Sequence, residues 1–469
     1  MKTYNIYLLF ALFLLVTGCK VSKDIEVQPE VPSAYRNAVT TSDTATIADI
    51  EWKSFFPDTA LQELIGKAIA GNYDLQTALK NMEASKLLLR QSKWGQVPQA
   101  NLAVSASSTI PSENSLNGLS ANNFLKTSHV EDYNAAVSLS WEADIWRKIS
   151  SRKKEALAEY LRTQEAKKAI QTELVAGVAQ GYYNLLMLDA QLDIAQKNLA
   201  LRENTLRIIK LQFNSGQITS LAVEQAEAQK LNAAQIVPAL EKQITIQENA
   251  MSILTGELPG EIGRISSIDL SPLQTTLATG LPAGIVSHRP DVKSFEYELA
   301  AANARVGVTK AQMYPSLNIT ASGGLNSFKS DNWFNMPSSL FGLVAGSIAQ
   351  PLLNNRRLRT QYEVAKVDRE KAVIAFRQSV LVAVGEVSDA LVTIEKLKQE
   401  QEFATARVAS LQKATNNADM LFKSGMANYL EVITAQGVVL QSELELAALK
   451  RDQLNAVAQL YRSLGGGWK

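Results

Sequence analysis

The sequence holds one cysteine and two histidines in 469 residues, and its formal net charge is +1. A lone thiol excludes an internal disulfide framework, and with two histidines it builds no recognisable zinc site. The balanced charge creates no global field that would recruit nucleic acid. Local basic clusters such as Arg152-Lys153-Lys154 and Arg356-Arg357-Leu358-Arg359 lie within mixed-sign sequence and read as solvated or headgroup-facing groups. Carboxylates are plentiful, yet none is singled out as half of an acid–base pair, so no catalytic residue and no cofactor are expected. The N-terminal apolar run from Ile6 to Val16 is shorter than the ~20 residues a spanning helix needs, and suits a secretory signal.

That run ends in Leu15-Val16-Thr17-Gly18-Cys19, which resembles a bacterial lipoprotein processing site. Small residues fit the peptidase, and the Cys19 thiol would receive the lipid. Residues 1–18 are then a signal peptide, and 19–57, rich in Pro, Ser, Thr, Val and Asp without helical periodicity, read as an extended tether that reaches rather than packs.

The remaining sequence is two copies of one unit. Phe213-Asn214-Ser215-Gly216 returns as Phe422-Lys423-Ser424-Gly425, and the same shift of 209 residues lays Arg147 on Arg356, Val175 on Val384 and Gly256 on Gly465. Upstream the shift becomes 217, matching Asp74 to Asp291, Pro98 to Pro315 and Asn101 to Asn318. The difference implies a longer loop in the first copy. A repeat of this length points to an object in which each unit supplies the same wall element. The expected units are 58–260 and 285–469, joined by a connector over 261–284.

Each copy reads as helix, β-hairpin and helical hairpin. The first helix, from Asp58 to Trp94 with a break near Gly71-Asn72, stops before Pro98. Alternation over Leu102, Val104 and Ala106, then Tyr133 to Trp141, predicts two strands. Leu317, Ile319 and Ala321 predict a third, and a looser pattern in Phe341 to Leu353 the fourth. The helix from about Ile149 to Phe213 would measure ~100 Å. Leu185, Leu188, Leu192, Ala195, Leu199, Leu206, Ile209 and Phe213 give it a heptad seam in which Arg202 is the only misfit. Turns at Ser215-Gly216 and Ser424-Gly425 reverse the chain, and Pro238 should kink the first returning helix.

Four tilted strands can cross a bilayer, but known membrane barrels need at least ~8, so one chain cannot close a pore and oligomerisation follows. Trp141 and Trp146 stand at a strand end where a membrane-interface girdle would fall. The fold class expected is mainly α with a membrane β-barrel portion, in two tandem repeats.

Ser287-His288-Arg289-Pro290-Asp291-Val292, followed by Glu298 to Asn303, Gly307 and Tyr314-Pro315-Ser316-Leu317, resembles the signature of TolC-like outer-membrane efflux channels. The NodT-type lipoprotein branch, which serves RND pumps, fits best. Trp141-Glu142-Ala143-Asp144-Ile145-Trp146 and Gln350-Pro351-Leu352-Leu353-Asn354 resemble that branch's post-strand segments but lack the usual glycine turn. The likeness spans Trp52 to the C-terminus. It implies a homotrimeric α/β barrel tube, lipid-anchored in the outer membrane with a long periplasmic portion. That tube would be the exit duct of a tripartite system and dock through a periplasmic adaptor with an inner-membrane RND pump. The other reading is a periplasmic coiled-coil scaffold or adaptor lipoprotein with no pore, although an adaptor should carry a lipoyl-like or small β-barrel domain.

The hairpin tips, Ser215, Gly216, Gln217 and Ser424, Gly425, Met426, are what a partner can reach at a tube's end. The resemblance places gate carboxylates six positions beyond the hairpin glycine: Glu431 in the second copy, but Ala222 in the first, where Glu224 is the nearest acid. Three symmetry-related carboxylates at a constriction would bind cations and repel anions. The motif His288-Arg289-Pro290-Asp291 also has the letters of a kinase loop, without the companion phosphate-handling motifs. Pro290 starting a helix and Asp291 answering its dipole are sufficient.

Overall fold

The computed structural model describes residues 21–28, 30–36, 46–268, 278–280 and 282–469. The predicted signal peptide and Cys19 lie outside the described residues.

Two compact units emerge. Of the described residues, one comprises 21–27, Glu83–Leu161 and Tyr297–Ile374, the other those within Gln28–Met82, Arg162–Glu296 and Ala375–Lys469. Each copy of the repeat contributes to both. In chain order the main elements are α1 (Thr59–Gly71), α2 (Tyr73–Lys93), β1 (Gln99–Thr109), β2 (Val130–Ala143), α3 (Lys148–Asn214) and α4 (Ser220–Thr255). The second copy gives α5 (Pro290–Ala311), β3 (Ser316–Ser327), β4 (Leu340–Ala349), α6 (Arg357–Lys423) and α7 (Tyr429–Ser463).

The first unit holds a single four-stranded antiparallel sheet in the order β1-β2-β3-β4. Its ladders run without a break from Gln99 opposite Ser140 to Leu325 opposite Leu340. Because opposite residues share a face, the alternation carries across all four strands. One face is apolar, with Leu102, Val137, Leu139, Ile319, Val344 and Ile348; the other carries Asn101, Ser105, Ser138, Asn318, Thr320 and Ser322. β4 ends at Ala349, ahead of Pro351, rather than reaching Leu353. Among the described residues no strand lies beyond β1 or β4, so both edges of the sheet are open.

The N-terminal segment departs from the expectation that it reaches rather than packs. The Asn303 side chain accepts from Ile25 N–H and donates to its carbonyl, each at 3.0 Å, which treats the backbone as a neighbouring strand would. In the second unit Trp52, Phe55 and Phe56 are buried, and Phe55 stacks on Tyr461 with ring centroids 4.0 Å apart. The apolar residues scattered through 46–57 supply that core, and they carry no helical period because they form only short turns.

α3 and α6 are each 67 residues long, so the gapless 209-residue shift corresponds to two helices of equal length. α4 continues through Pro238. The helices meet a repeated joint in the second unit. Gly256, at φ 74°, lies so close to α1 that a Cβ there would stand 2.3 Å from Gly71 O; Gly465, at φ 94°, would stand 2.7 Å from His288 O. Only glycine tolerates both the left-handed backbone and the contact. Beside each joint one side chain ties the helix end: Asn72 Nδ2 donates to Leu254 O at 3.1 Å, and Arg289 to Ser463 O at 3.0 Å. The two pairs are equivalent under the repeat. In the second copy the tie is ionic, for buried Arg289 also pairs with Asp291 at 2.5 Å and Glu386 at 2.7 Å. Burial raises the Asp291 pKa, but Arg289 outweighs it and holds the carboxyl below its ordinary value. Arg264 of the connector is clamped in the same way by Asp189 and Glu248.

Candidate functional site

The two hairpin tips are built on one turn. α3 ends at Asn214 and Gly216 follows at φ 76°; α6 ends at Lys423 and Gly425 follows at φ 74°. Gly216 N–H donates to Phe213 O at 2.9 Å and Gln217 N–H to Gln212 O at 2.9 Å. The equivalent bonds, Gly425 to Phe422 O at 3.0 Å and Met426 to Leu421 O at 2.8 Å, repeat the pattern. Both close the orphan carbonyls of a helix end in the Schellman manner. Ser215, Gln217, Ser424 and Met426 therefore sit at the reversal of each hairpin, all four exposed.

The returning helices differ. Asn428 caps α7 by accepting from Glu431 N–H at 3.1 Å, and its side-chain amide also donates to the Glu431 carboxylate at 3.3 Å. Thr219 makes no side-chain cap bond to α4. Glu431 and Glu224 are both exposed. Ala222, equivalent to Glu431, is wholly buried and packs with Leu206, Ile209, Ala226, Phe422, Val432 and Ile433. One core thus joins the tips of both copies, and Tyr429 Oη donates across it to Gln225 Oε1 at 2.6 Å. A carboxylate at 222 would have to enter that core uncompensated, which accounts for alanine there.

Two heptad assignments change. Phe213 is 42 % exposed, whereas Phe422 is 4 %. Arg202, the apparent misfit, is inside the seam at 6 % exposure. Its guanidinium donates to Asn198 Oδ1 at 2.8 Å and Gln229 Oε1 at 3.0 Å; among the described residues no carboxylate pairs with it, and burial lowers its pKa. Gln436, almost fully buried, donates to Thr205 at 2.9 Å and completes a polar layer behind the tip core. Sequence reasoning missed this layer because the period marks a seam position without saying what faces it. Asn198, at i−4 to Arg202, was the available signal.

At the strand ends, Trp141 lies on the apolar face and its indole donates to Gln96 O at 2.9 Å. Trp146 donates to Pro315 O at 2.7 Å and stacks on Tyr314 at 4.8 Å between centroids. The turns that lack glycine are nevertheless left-handed: Arg147 has φ 56°, Asn355 53° and Arg356 60°. Asp144 holds the first, accepting from Ile149 and Ser150 N–H at 2.7 and 2.9 Å. His288 makes a 2.8 Å bond with Gly284 O as part of the joint. Among the described residues no group of three or more His, Cys, Asp or Glu could hold a metal ion.

Comparison with known proteins places this geometry. The model of a family described as outer membrane efflux protein matches residues 64–257 and 281–466. A probable efflux pump outer membrane protein, SepC of Pseudomonas putida, is 30% identical over 480 residues, covering 100% of this chain and 98% of its own. The cation efflux system protein CusC of Escherichia coli O6:H1 is 27% identical over 468 residues, covering 98% of each. A crystal structure of CusC superposes with a TM-score of 0.84 at 25% identity, over 96% of this chain and 100% of that one.

Proposed function

The chain belongs to the outer membrane efflux protein family, and from that premise we propose that it is the passive exit duct of a tripartite efflux pump. It is an outer-membrane efflux channel, with a helical portion and a membrane β portion. The finer reading is a homotrimer whose hairpin tips meet a periplasmic adaptor serving an inner-membrane RND-type pump, with Cys19 lipidated and no chemistry performed on the cargo.

The observation that carries the reading is the sheet with two open edges. In hydrocarbon every backbone N–H and C=O must be satisfied, and an unpaired edge of ten or eleven residues is untenable there. Pairing β1 of one copy with β4 of the next removes both edges at once. The apolar face then meets lipid and the Asn, Ser and Thr face lines water. Three copies of four strands clear the ~8-strand minimum that a single chain misses. Trp141 and Trp146 would sit at the membrane interface near the strand ends.

Glu431, with Glu224 as its weaker counterpart, is proposed to line the aperture. Its exposure and its single tie to Asn428 leave the carboxylate available to cations, and the tip core leaves no carboxylate at the equivalent position 222 of the first copy. The Tyr429–Gln225 bond supports the two tips moving as one body within a protomer.

Reconstitution into a planar bilayer tests the reading: purified oligomer should conduct, and folded oligomer without conductance would favour the scaffold. Glu431→Gln should weaken block by divalent cations, and unchanged block would remove Glu431 from the aperture.

A further inference from the structure

Apart from Val130 at the very start of β2, the large apolar side chains on the polar face of the sheet lie on β4. Phe341 stands opposite Gly324 and Leu343 opposite Ser322; these in turn face Ala136 and Ser138 on β2. With the ladders unbroken, both side chains share the face of Asn101, Ser138 and Ser322. Leu343 is 58 % exposed and Phe341 half-buried. The lipid face of β4 is already served by Leu340, Val344 and Ile348. Phe341 and Leu343 therefore add nothing to membrane contact and place large apolar side chains on a face otherwise built of small and polar residues. Gly324, opposite Phe341, has no side chain to cover the ring.

We propose that Phe341 and Leu343 form a contact site for apolar or amphiphilic cargo on the lumen wall of the barrel portion. The inference rests on the channel reading above. In a closed ring the pair recurs once per copy at one level, so a solute passing there sheds part of its hydration against several such patches, while a hydrated ion gains nothing. Each patch is small and open, which suits brief contact rather than retention. The loose alternation of the fourth strand is the sequence trace of this site.

The test uses full-length protein in planar bilayers, with tetraphenylphosphonium as the apolar probe and tetramethylammonium as its polar control. Tetraphenylphosphonium should interrupt the wild-type current. The Phe341→Ser/Leu343→Ser variant should need about tenfold more of it for equal block, since the lost contact is a modest apolar area; tetramethylammonium should act alike on both. Equal tetraphenylphosphonium block in the variant, or a wild-type channel that conducts without any block, overturns the contact site and leaves the channel reading intact. Wild-type oligomer that does not conduct overturns both. Should the double variant fail to assemble, single cysteines decide the facing: Leu343→Cys in liposomes should react with a membrane-impermeant maleimide and Val344→Cys should not, and the reverse order overturns the site.

Discussion

Gly216 and Gly425 hold the same left-handed turn with the same two backbone bonds, yet the residues around them are used oppositely. Phe422 is in the tip core and Phe213 is not; Ala222 is in the core and Glu431 is not. Duplication therefore preserved the turn, which depends on its own residues, and not the burial, which depends on the neighbour. Within one protomer, the first copy presents Leu206, Ile209 and Ala222 to the second, and the second presents Phe422, Val432 and Ile433. The faces left over, with Phe213 among them, are exposed in the single chain.

Exchanging residues between the copies breaks or sharpens this difference. The largest effects belong to the core. Ala222→Glu forces an uncompensated carboxylate among Leu206, Ile209 and Phe422 and should cost about 3–5 kcal/mol of local stability. Phe422→Ala should cost a similar 3–5 kcal/mol, against under about 1 for Phe213→Ala in the dissociated protomer. Hydrogen exchange at the tips measures both, and equal losses for the two phenylalanines would dissolve the asymmetry.

The next effect has the opposite sign. Arg202→Leu imports the residue that the second copy carries at Leu411. It removes a buried cation that lacks a carboxylate partner and should stabilise the seam by about 1 kcal/mol or more. A loss of protection on this substitution would show that the polar layer is cohesive. Smaller again, Asn428→Ala should cost about 1 kcal/mol through its lost cap, while Thr219→Ala costs almost nothing; fraying of α7 and α4 by amide exchange separates them.

Acid should distinguish the joints most gently. The first is tied by neutral Asn72, the second by Arg289 with Asp291. A carboxyl whose folded pKa is depressed contributes stability above its unfolded value and loses it as pH falls through the folded value. The second joint should therefore loosen below about pH 4 while the first does not, and Asp291→Asn should remove the difference. Protection of the 254 and 463 backbone regions across an acid titration reads it.

Much of this fold was legible because the signals are local. Paired prolines, alternating strands and Ser-Gly turns each act over a few residues, and the repeat supplied a second copy of every one. The coarse site, the tips near Gly216 and Gly425, followed for the same reason. Burial at the tips was not legible: a heptad position marks Phe213 and Phe422 equally, and only the partner helix decides between them. Nor did a missing glycine at Arg147 or Arg356 prevent the left-handed turn, because Asp144 and the flanking elements impose it at the first site. The buried Arg202 looked like an interruption because its partners, Asn198 and Gln229, lie on two different helices.

The glycine joints bear on the order of assembly. Gly71 with Gly256, and His288 with Gly465, each close inside one copy, whereas the β2–β3 ladder links Tyr133–Ala143 to Leu317–Ser327 across both. A chain delivered N-terminus first can lock its first joint before the partner strand of β2 has arrived. The open sheet edge is then exposed only after a folded anchor exists, which shortens the interval in which stray strands can pair with it. Pulse labelling of progressively lengthened nascent chains should accordingly find the Leu254 region protected before the β2–β3 ladder forms at Ala321 and Gly323.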